Sequence, residues 1–384
     1  MSTGLYSTQQ TMPSRQHSAN KGLATGNGDL PTSVPQRAAD AIGRWFGRNA
    51  RELPWRTRRN GYHALVSELM LQQTQVARVV EKFGPFVRRF PSVAALAQAH
   101  EDEVLAAWQG LGYYRRARLL HAAAKAAVEH HRGRVPVDDI DALRALPGVG
   151  RYTAGAIASI VGGARAPIVD GNVTRVFQRI AGQEGSASDQ SIVAWAWREA
   201  ERFVANARDP SAANEGLMEL GATICTPAAP RCHACPVSRW CRAAREHRVD
   251  EIPAPKVRPT RRELVLVTAR LVRASDEAVL LEQRPREGLW GGLWQPPSVA
   301  CADGREIAAV AARDLLGLPA TVTLRATGEV PFKTTHRAVV FVVFAARLRG
   351  TGAALAREGR RWVTREQLAG FALSNAAKRV LQIS

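Results

Sequence analysis

The sequence predicts a mainly α-helical region followed by a smaller α+β domain. Two observations carry that expectation: a change of hydrophobic period along the chain, and a basic, proline-containing stretch where the change occurs. From Pro35 to Ile224, apolar residues recur at three- and four-residue spacing in segments such as HALVSELMLQQTQVARVVEKF and SIVAWAWREAERFVANA. That spacing belongs to helices that bury one face. Proline and glycine interrupt the run at RFPS, GLGYY, LPGVG and VDGNV, where helices give way to turns. After residue 263 the pattern changes. RRELVLVTARLV, AVLLEQR and RAVVFVVFAARLR are β-branched runs bounded by turn residues and read as strands. GREIAAVAARDLLG and SNAAKRVLQ supply two helices to the same domain. Between the two regions, residues 242–262 hold three prolines and seven basic residues against three acidic ones, the composition of a semi-rigid, electropositive linker. Residues 1–34 are rich in Ser, Thr, Gln and Gly and lack an apolar core. They read as a disordered tail rather than a signal peptide.

At 384 residues the chain is long enough for two domains with sizeable cores. It holds no run of about eighteen apolar residues, so no membrane association is expected. The net charge of +19 suits a polyanionic partner, of which nucleic acid is the commonest; an arginine-rich compositional bias is the competing explanation. Four of the five cysteines crowd into Cys225, Cys232, Cys235 and Cys241, a C-x6-C-x2-C-x5-C spacing. Soft thiolates at such spacing select zinc or an iron–sulfur cluster. Because one compact loop supplies all four, where zinc ribbons usually separate two knuckles, the spacing favours iron–sulfur over zinc. Cys301 stands alone and reads as a small buried hydrophobe.

Four further stretches carry chemistry. In ALPGVGRYTAGAIASI a tight turn joins two helices and leaves the backbone N–H groups of Gly148, Val149 and Gly150 at a helix N-terminus, a seat for a phosphate oxygen. In APIVDGNVTRVFQRI, Asp170 precedes a helix. It serves as an N-cap, and the helix N-terminus also favours its anionic form. In VSELMLQQTQV, Glu68 lies at the edge of an apolar helix face, followed by Gln72, Gln73, Thr74 and Gln75. Burial of Glu68 would raise its pKa and suit it to general-acid work. One protonated and one ionised carboxyl group make a glycosyl-hydrolysing pair. In GLGYYRRAR, Tyr113 and Tyr114 beside Arg115 combine stacking surface with phosphate-binding charge.

Taken in order, S-E-x-M-L-Q-Q-T-Q-V, G-L-G-Y-Y-x-R-A-R, L-P-G-V-G-R-x-T-A-G-A, V-D-G-N-V and the cysteine spacing resemble the MutY-type adenine DNA glycosylases. These form a branch of the helix–hairpin–helix base-excision superfamily that also includes endonuclease III. G-L-W-G-G-L-W at Gly288–Trp294 is similar to the adenine-excising branch. The resemblance spans roughly Pro35 to Ser384. It implies a helix–hairpin–helix catalytic domain over 35–224, a [4Fe–4S] cluster loop over 225–241, the linker 242–262, and a Nudix-like α+β domain over 263–384 that reads 8-oxoguanine.

Within this resemblance Glu68 takes the role of the acid that protonates adenine N7. Asp170 faces the oxocarbenium-like sugar, with Asn172 supporting it. Tyr152 stands where the endonuclease III branch has a catalytic lysine, and a phenol cannot form a Schiff base; a monofunctional glycosylase is implied. Gln73 and Tyr113 match residues that enter the duplex, and Gln72, Thr74, Tyr114 and Arg115 accompany them on the DNA-binding face. The loop that in relatives reads F-S-H is here Thr334-Thr335-His336, which keeps a hydroxyl and a histidine at Thr335 and His336 but lacks the aromatic ring. VAARDLLGL has lost nearly all acidic ligands of the Nudix box, so no pyrophosphatase activity is expected. The implied partner is double-stranded DNA carrying A:8-oxoG or A:G mispairs, bound by a monomer on the nucleoid in a bacterial cytoplasm. Competing readings are a G:T mismatch thymine glycosylase, an endonuclease III-like enzyme, or a non-catalytic iron–sulfur DNA-binding protein.

Overall fold

The three- and four-residue apolar spacing of the first region resolves into helices grouped around two separate cores. The structure is a computed structural model that describes residues 33–255, 260–302 and 305–382; nearly all of the stretch read as a tail lies outside these residues. The helices are α1 (Ala38–Asn49), α2 (Pro54–Thr57), α3 (Gly61–Leu71), α4 (Val76–Arg89), α5 (Val93–Gln98) and α6 (Glu101–Ala107). They continue with α7 (Arg115–His131), α8 (Ile140–Ala145), α9 (Arg151–Ile160), α10 (Gly171–Ala181), α11 (Gln190–Ala205), α12 (Pro210–Thr223) and α13 (Arg242–Arg245).

One core is built from α3 to α9, around Leu65, Phe86, Trp108 and Leu120. The other joins α1 to α10, α11 and α12, around Ile42, Phe177, Phe203 and Leu217. Helix α3 runs between neighbours on most sides: Tyr62, Leu65, Val66, Ser67, Glu68, Leu69 and Met70 are all buried. A polar side chain on such a helix has no solvent face to turn to.

Helix α9 presses on the extended segment 164–169 that leads into α10. A Cβ on Gly155 would lie 2.3 Å from the Pro167 carbonyl oxygen, so only glycine admits the approach. Asn214 of α12 holds the same segment, its Nδ2 donating to Ser159 Oγ and to the Ala166 carbonyl, both at 2.8 Å. In the α8–α9 hairpin, Gly148 has φ +80°, and an added Cβ would lie 2.8 Å from Leu119 Cβ. Both conformation and space demand glycine there.

Part of the stretch read as a linker packs on the helical domain. Ile252 is 1% exposed, and the Arg179 Nε donates to its carbonyl at 2.8 Å. Residues 256–259 lie outside the described residues.

The second domain is a mixed sheet of β1 (Arg262–Arg273), β2 (Val279–Gln283), β3 (Trp294–Gln295), β4 (Ser298–Ala300), β5 (Arg325–Lys333), β6 (Arg337–Leu348) and β7 (Arg360–Val363). The order is β3-β2-β1-β6-β5, with β4 on β1 and β7 on β2. Strands β1 and β6 run parallel from Arg262↔Arg337 to Arg273↔Leu348. Their side chains alternate between faces. Val265, Val267, Ala269 and Leu271 pack with Ala312 of α14 (Ala309–Leu315), whereas Leu266, Phe341 and Val343 pack with Ala376 and Val380 of α15 (Asn375–Gln382). Strand β5 carries glycine and proline at an edge (RATGEVPFK), which hid it from a pattern search for β-branched runs.

Replacing Gly155 by alanine forces α9 away from Pro167. A loss of about 1–3 kcal/mol in unfolding free energy is expected, and urea denaturation measures it. An unchanged midpoint would contradict the close contact.

Candidate active site

The two cores of the helical domain face each other across a cleft of about 770 Å³. Glu68 enters it from α3 on one side, and Asp170 enters at the start of α10 on the other. Tyr152, from the first turn of α9, also lines it, together with Gln72, Gln73, Thr74, Asn172 and Glu215.

Asp170 caps α10: its Oδ1 accepts from the Val173 backbone N–H at 2.7 Å and its Oδ2 from Asn172 Nδ2 at 3.2 Å. Asn172 is held in turn by Arg175, whose Nη2 donates to Asn172 Oδ1 and to the Gly221 carbonyl, both at 2.9 Å. The Arg175 Nε donates to the Cys225 carbonyl at 2.8 Å. The cysteine loop is thereby tied, through one side chain, to the residue beside Asp170.

Glu68 is buried at 6% exposure. Burial is the main reason its pKa is pushed up to about 7, and the nearby charges of Asp170 and Glu215 push in the same direction. A hydrogen bond from the Tyr152 hydroxyl opposes them. The phenol of Tyr152 is itself held well above its usual range, by burial first and by Glu68 and Asp170 next, so it acts as a neutral donor.

Sequence reasoning missed a set of ion pairs at the cleft wall. Arg56 binds Glu215 and Glu219, both at 3.1 Å; Arg59 reaches Glu215 and Arg51 reaches Glu219, both at 2.5 Å. The signal for these was Glu215 and Glu219 one turn apart in the otherwise apolar EGLMELG stretch. Arg175 and Arg179, also one turn apart, were likewise overlooked within a helix whose other residues are largely apolar.

The four cysteines line one apolar cavity, with Val176, Ile180, Leu220 and Val237 among its walls. Among the described residues, no group of three or more His, Cys, Asp or Glu side chains is arranged to hold a single metal ion. Burial pushes the Cys235 thiol up to about 12, and the Cys232 and Cys241 thiols upward as well, with the neighbouring cysteines adding to each shift. Turning these buried thiols into thiolates would need compensating positive charge, which a polynuclear metal centre would supply. Arg179 Nη1 lies 3.5 Å from Cys225 Sγ.

The residues drawn from GLGYYRRAR separate. Tyr113 is 44% exposed, and its hydroxyl is 2.7 Å from Thr335 Oγ1 in the turn between β5 and β6. Tyr114 is buried, and its hydroxyl donates to the Leu373 carbonyl of the second domain at 3.1 Å. Gln109 Nε2 donates to the same carbonyl at 3.1 Å. Arg115 and His336 are exposed. The Arg118 Nη1 donates to the Gly291 carbonyl at 3.0 Å, and Leu293 enters the helical core itself. GLWGGLW thus docks the second domain onto the first. In the hairpin turn Val149 is buried, whereas Gly150 at the N-terminus of α9 is exposed.

Residues 66–201 match the HhH-GPD superfamily base excision DNA repair protein family, and residues 268–382 match a NUDIX domain. The chain is 34% identical to the adenine DNA glycosylase of Homo sapiens over 88% of this chain and 72% of that protein. It belongs to the adenine DNA glycosylase family. Identity to the family member from Mycobacterium tuberculosis is 43%, over 51% of this chain and 64% of the other. A solved thermostable thymine-DNA glycosylase is 28% identical, covering 54% of this chain and 94% of its own, with a TM-score of 0.49. No helix among the described residues is long and apolar enough to cross a membrane.

The raised pKa of Glu68 makes stability depend on pH. The folded state holds this proton more tightly than the unfolded state, where a glutamate titrates near its usual value. Its contribution is therefore neutral at low pH and becomes a cost as pH rises toward the folded value of about 7. Relative to Glu68→Gln, the wild type should lose up to about 3 kcal/mol between about pH 5 and pH 8. Thermal melts of both proteins across that range check it; parallel curves would rule out the buried, raised carboxyl.

Proposed function

We propose that this protein hydrolyses the N-glycosidic bond of adenine mispaired with 8-oxoguanine or guanine in double-stranded DNA. The observation that carries the reading is the pairing in one cleft of a buried, proton-retaining Glu68 with Asp170, supplied by opposite walls. A base extruded into this cleft meets the Glu68 acid, which protonates adenine N7. The C1′–N9 bond then breaks and its electron pair leaves with the base. Positive charge developing on the sugar faces Asp170, whose orientation is set by Val173, Asn172 and, through Asn172, Arg175. Water adds at C1′, and the carboxylate left on Glu68 takes its proton. Tyr152 steadies that carboxylate by donating its hydroxyl. With no amine at this position, strand cleavage through a Schiff base is not expected.

Gln73 and Tyr113 are the side chains that enter the duplex, at a cost of a few kcal/mol for unstacking. Gln72 and Thr74 sit at the cleft beside them, and Arg115 together with the Gly148–Gly150 turn contacts phosphates. Tyr114 supports this surface from behind, through its bond to the second domain. Thr335 and His336 read the base opposite adenine, a role supported by the contact between Thr335 and Tyr113. Cys225, Cys232, Cys235 and Cys241, which line one cavity, would hold one [4Fe–4S] cluster, and its iron would supply the positive charge that buried thiolates need. Domain limits follow the division at 224, 241 and 262, with the protein acting as a monomer on DNA in a bacterial cytoplasm.

Single-turnover assays on duplexes with A:8-oxoG, A:G, T:G and thymine glycol should yield alkali-labile strands from the adenine pairs only. Adenine remaining attached in both would end the proposal. Glu68→Gln should lower excision by about 10²–10⁴-fold while mismatch binding persists; loss of binding as well would assign Glu68 a structural role. Thr335→Ala with His336→Ala should narrow the preference for 8-oxoguanine over guanine, and an unchanged ratio would remove that loop from recognition. Iron and acid-labile sulfide in near-equal amounts in anaerobically prepared protein support the cluster, whereas stoichiometric zinc would replace it.

A further inference from the structure

Arg116 is 7% exposed and takes no part in the chemistry described so far. Its guanidinium spans two loops. The Nη1 donates to the carbonyls of Leu69 at 2.8 Å, Met70 at 2.9 Å and Gln72, at the C-terminal end of α3. The Nη2 donates to Thr74 Oγ1 at 2.9 Å and to the carbonyls of Leu111 and Gly112, both at 3.2 Å. The rings of Trp108 and Tyr113 lie 5.5 and 5.3 Å from its guanidinium carbon.

Each loop carries one exposed, non-glycine residue in the left-handed region: Gln73 with φ 56° and Tyr113 with φ 48°. Such a backbone is strained and persists where its surroundings over-determine it. Here the guanidinium binds the residues on both sides of Gln73 and the two that precede Tyr113. The planar fork can serve both loops at once, which a lysine ammonium, as a compact point charge, cannot.

We propose that Arg116 is a positioning residue that presents Gln73 and Tyr113 to DNA as a single two-pronged wedge. Insertion beside the extruded adenine and insertion beside its partner base are then coupled. The inference rests on the glycosylase reading and deepens it. It separates Arg116 from a purely structural role, because Arg116 also caps the helix that carries Glu68. A capping defect would disturb Glu68 and slow every substrate, whereas a wedge defect matters only where a stacked duplex must be opened.

The test uses the full-length protein and its Arg116→Lys variant. One substrate places adenine opposite 8-oxoguanine in a fully paired duplex; the other places adenine opposite an abasic analogue between unpaired positions, where the stack is already broken. Single-turnover excision by Arg116→Lys should fall about a hundredfold on the first and stay within about twofold of wild type on the second. The effects of Gln73→Ala and Tyr113→Ala on the paired duplex should be non-additive in the wild type and additive in Arg116→Lys. Equal losses on both substrates, or no loss on either, would overturn the wedge and leave the activity standing. No excision by the wild type from either substrate would overturn the activity and the wedge together.

Discussion

Three of the carboxyl groups that line the cleft, Glu68, Asp170 and Glu215, repel one another, and that repulsion must be resolved before the fold can close around them. Each finds a different solution. Asp170 accepts the backbone N–H of Val173 and the side chain of Asn172 at the start of a helix. Glu215 is clamped by Arg56 and Arg59. Among the described residues Glu68 receives no cation, only the hydroxyl of Tyr152. The site therefore settles its electrostatics by raising the pKa of Glu68. Which carboxyl group has been left without a cation decides which one has its pKa raised.

The same economy explains where many arginines go. A net charge of +19 invites a picture of a basic surface, and several of these cations are instead internal braces. Arg116 binds the carbonyls that end α3, Arg175 binds Gly221 and Cys225, and Arg179 binds Thr226, Pro227 and Ile252. Carbonyls at helix ends and in irregular loops lack backbone partners. A guanidinium fork satisfies several at once while its charge complements the helix C-terminus. Part of the positive charge is thus structural, and it is concentrated around the cleft and the cysteine loop.

Contact between the domains falls on the segment joining α6 to α7, whose Leu111 carbonyl accepts from the hydroxyl of the cleft-lining Thr74. Tyr113 meets Thr335, Tyr114 and Gln109 share the Leu373 carbonyl, and Leu293 enters the helical core. The turn between β5 and β6 consequently sits beside the Tyr113 loop, which shares the Arg116 guanidinium with the segment following α3. Whatever meets the second domain at Thr335 is therefore two side chains away from the end of the helix that bears Glu68.

Local patterns determined much of this. The shift from helical spacing to β-branched runs placed the two domains; Asp170 before an apolar helix announced its own cap; and glycines at 148 and 155 marked a turn and a close approach that other residues would block. Edge strand β5 escaped because glycine and proline erase the strand pattern there. What the chain alone could not decide was environment. Tyr113 and Tyr114 are adjacent and identical in kind, yet one is exposed and the other buried against the second domain. Arg115 and Arg116 likewise differ only in which way the helix turns them. Residue type and spacing set which chemistry is available, since these act along the chain. Only the tertiary structure raised the pKa of Glu68 and made a brace of Arg116, because desolvation and charge–charge energies depend on neighbours that are distant in sequence.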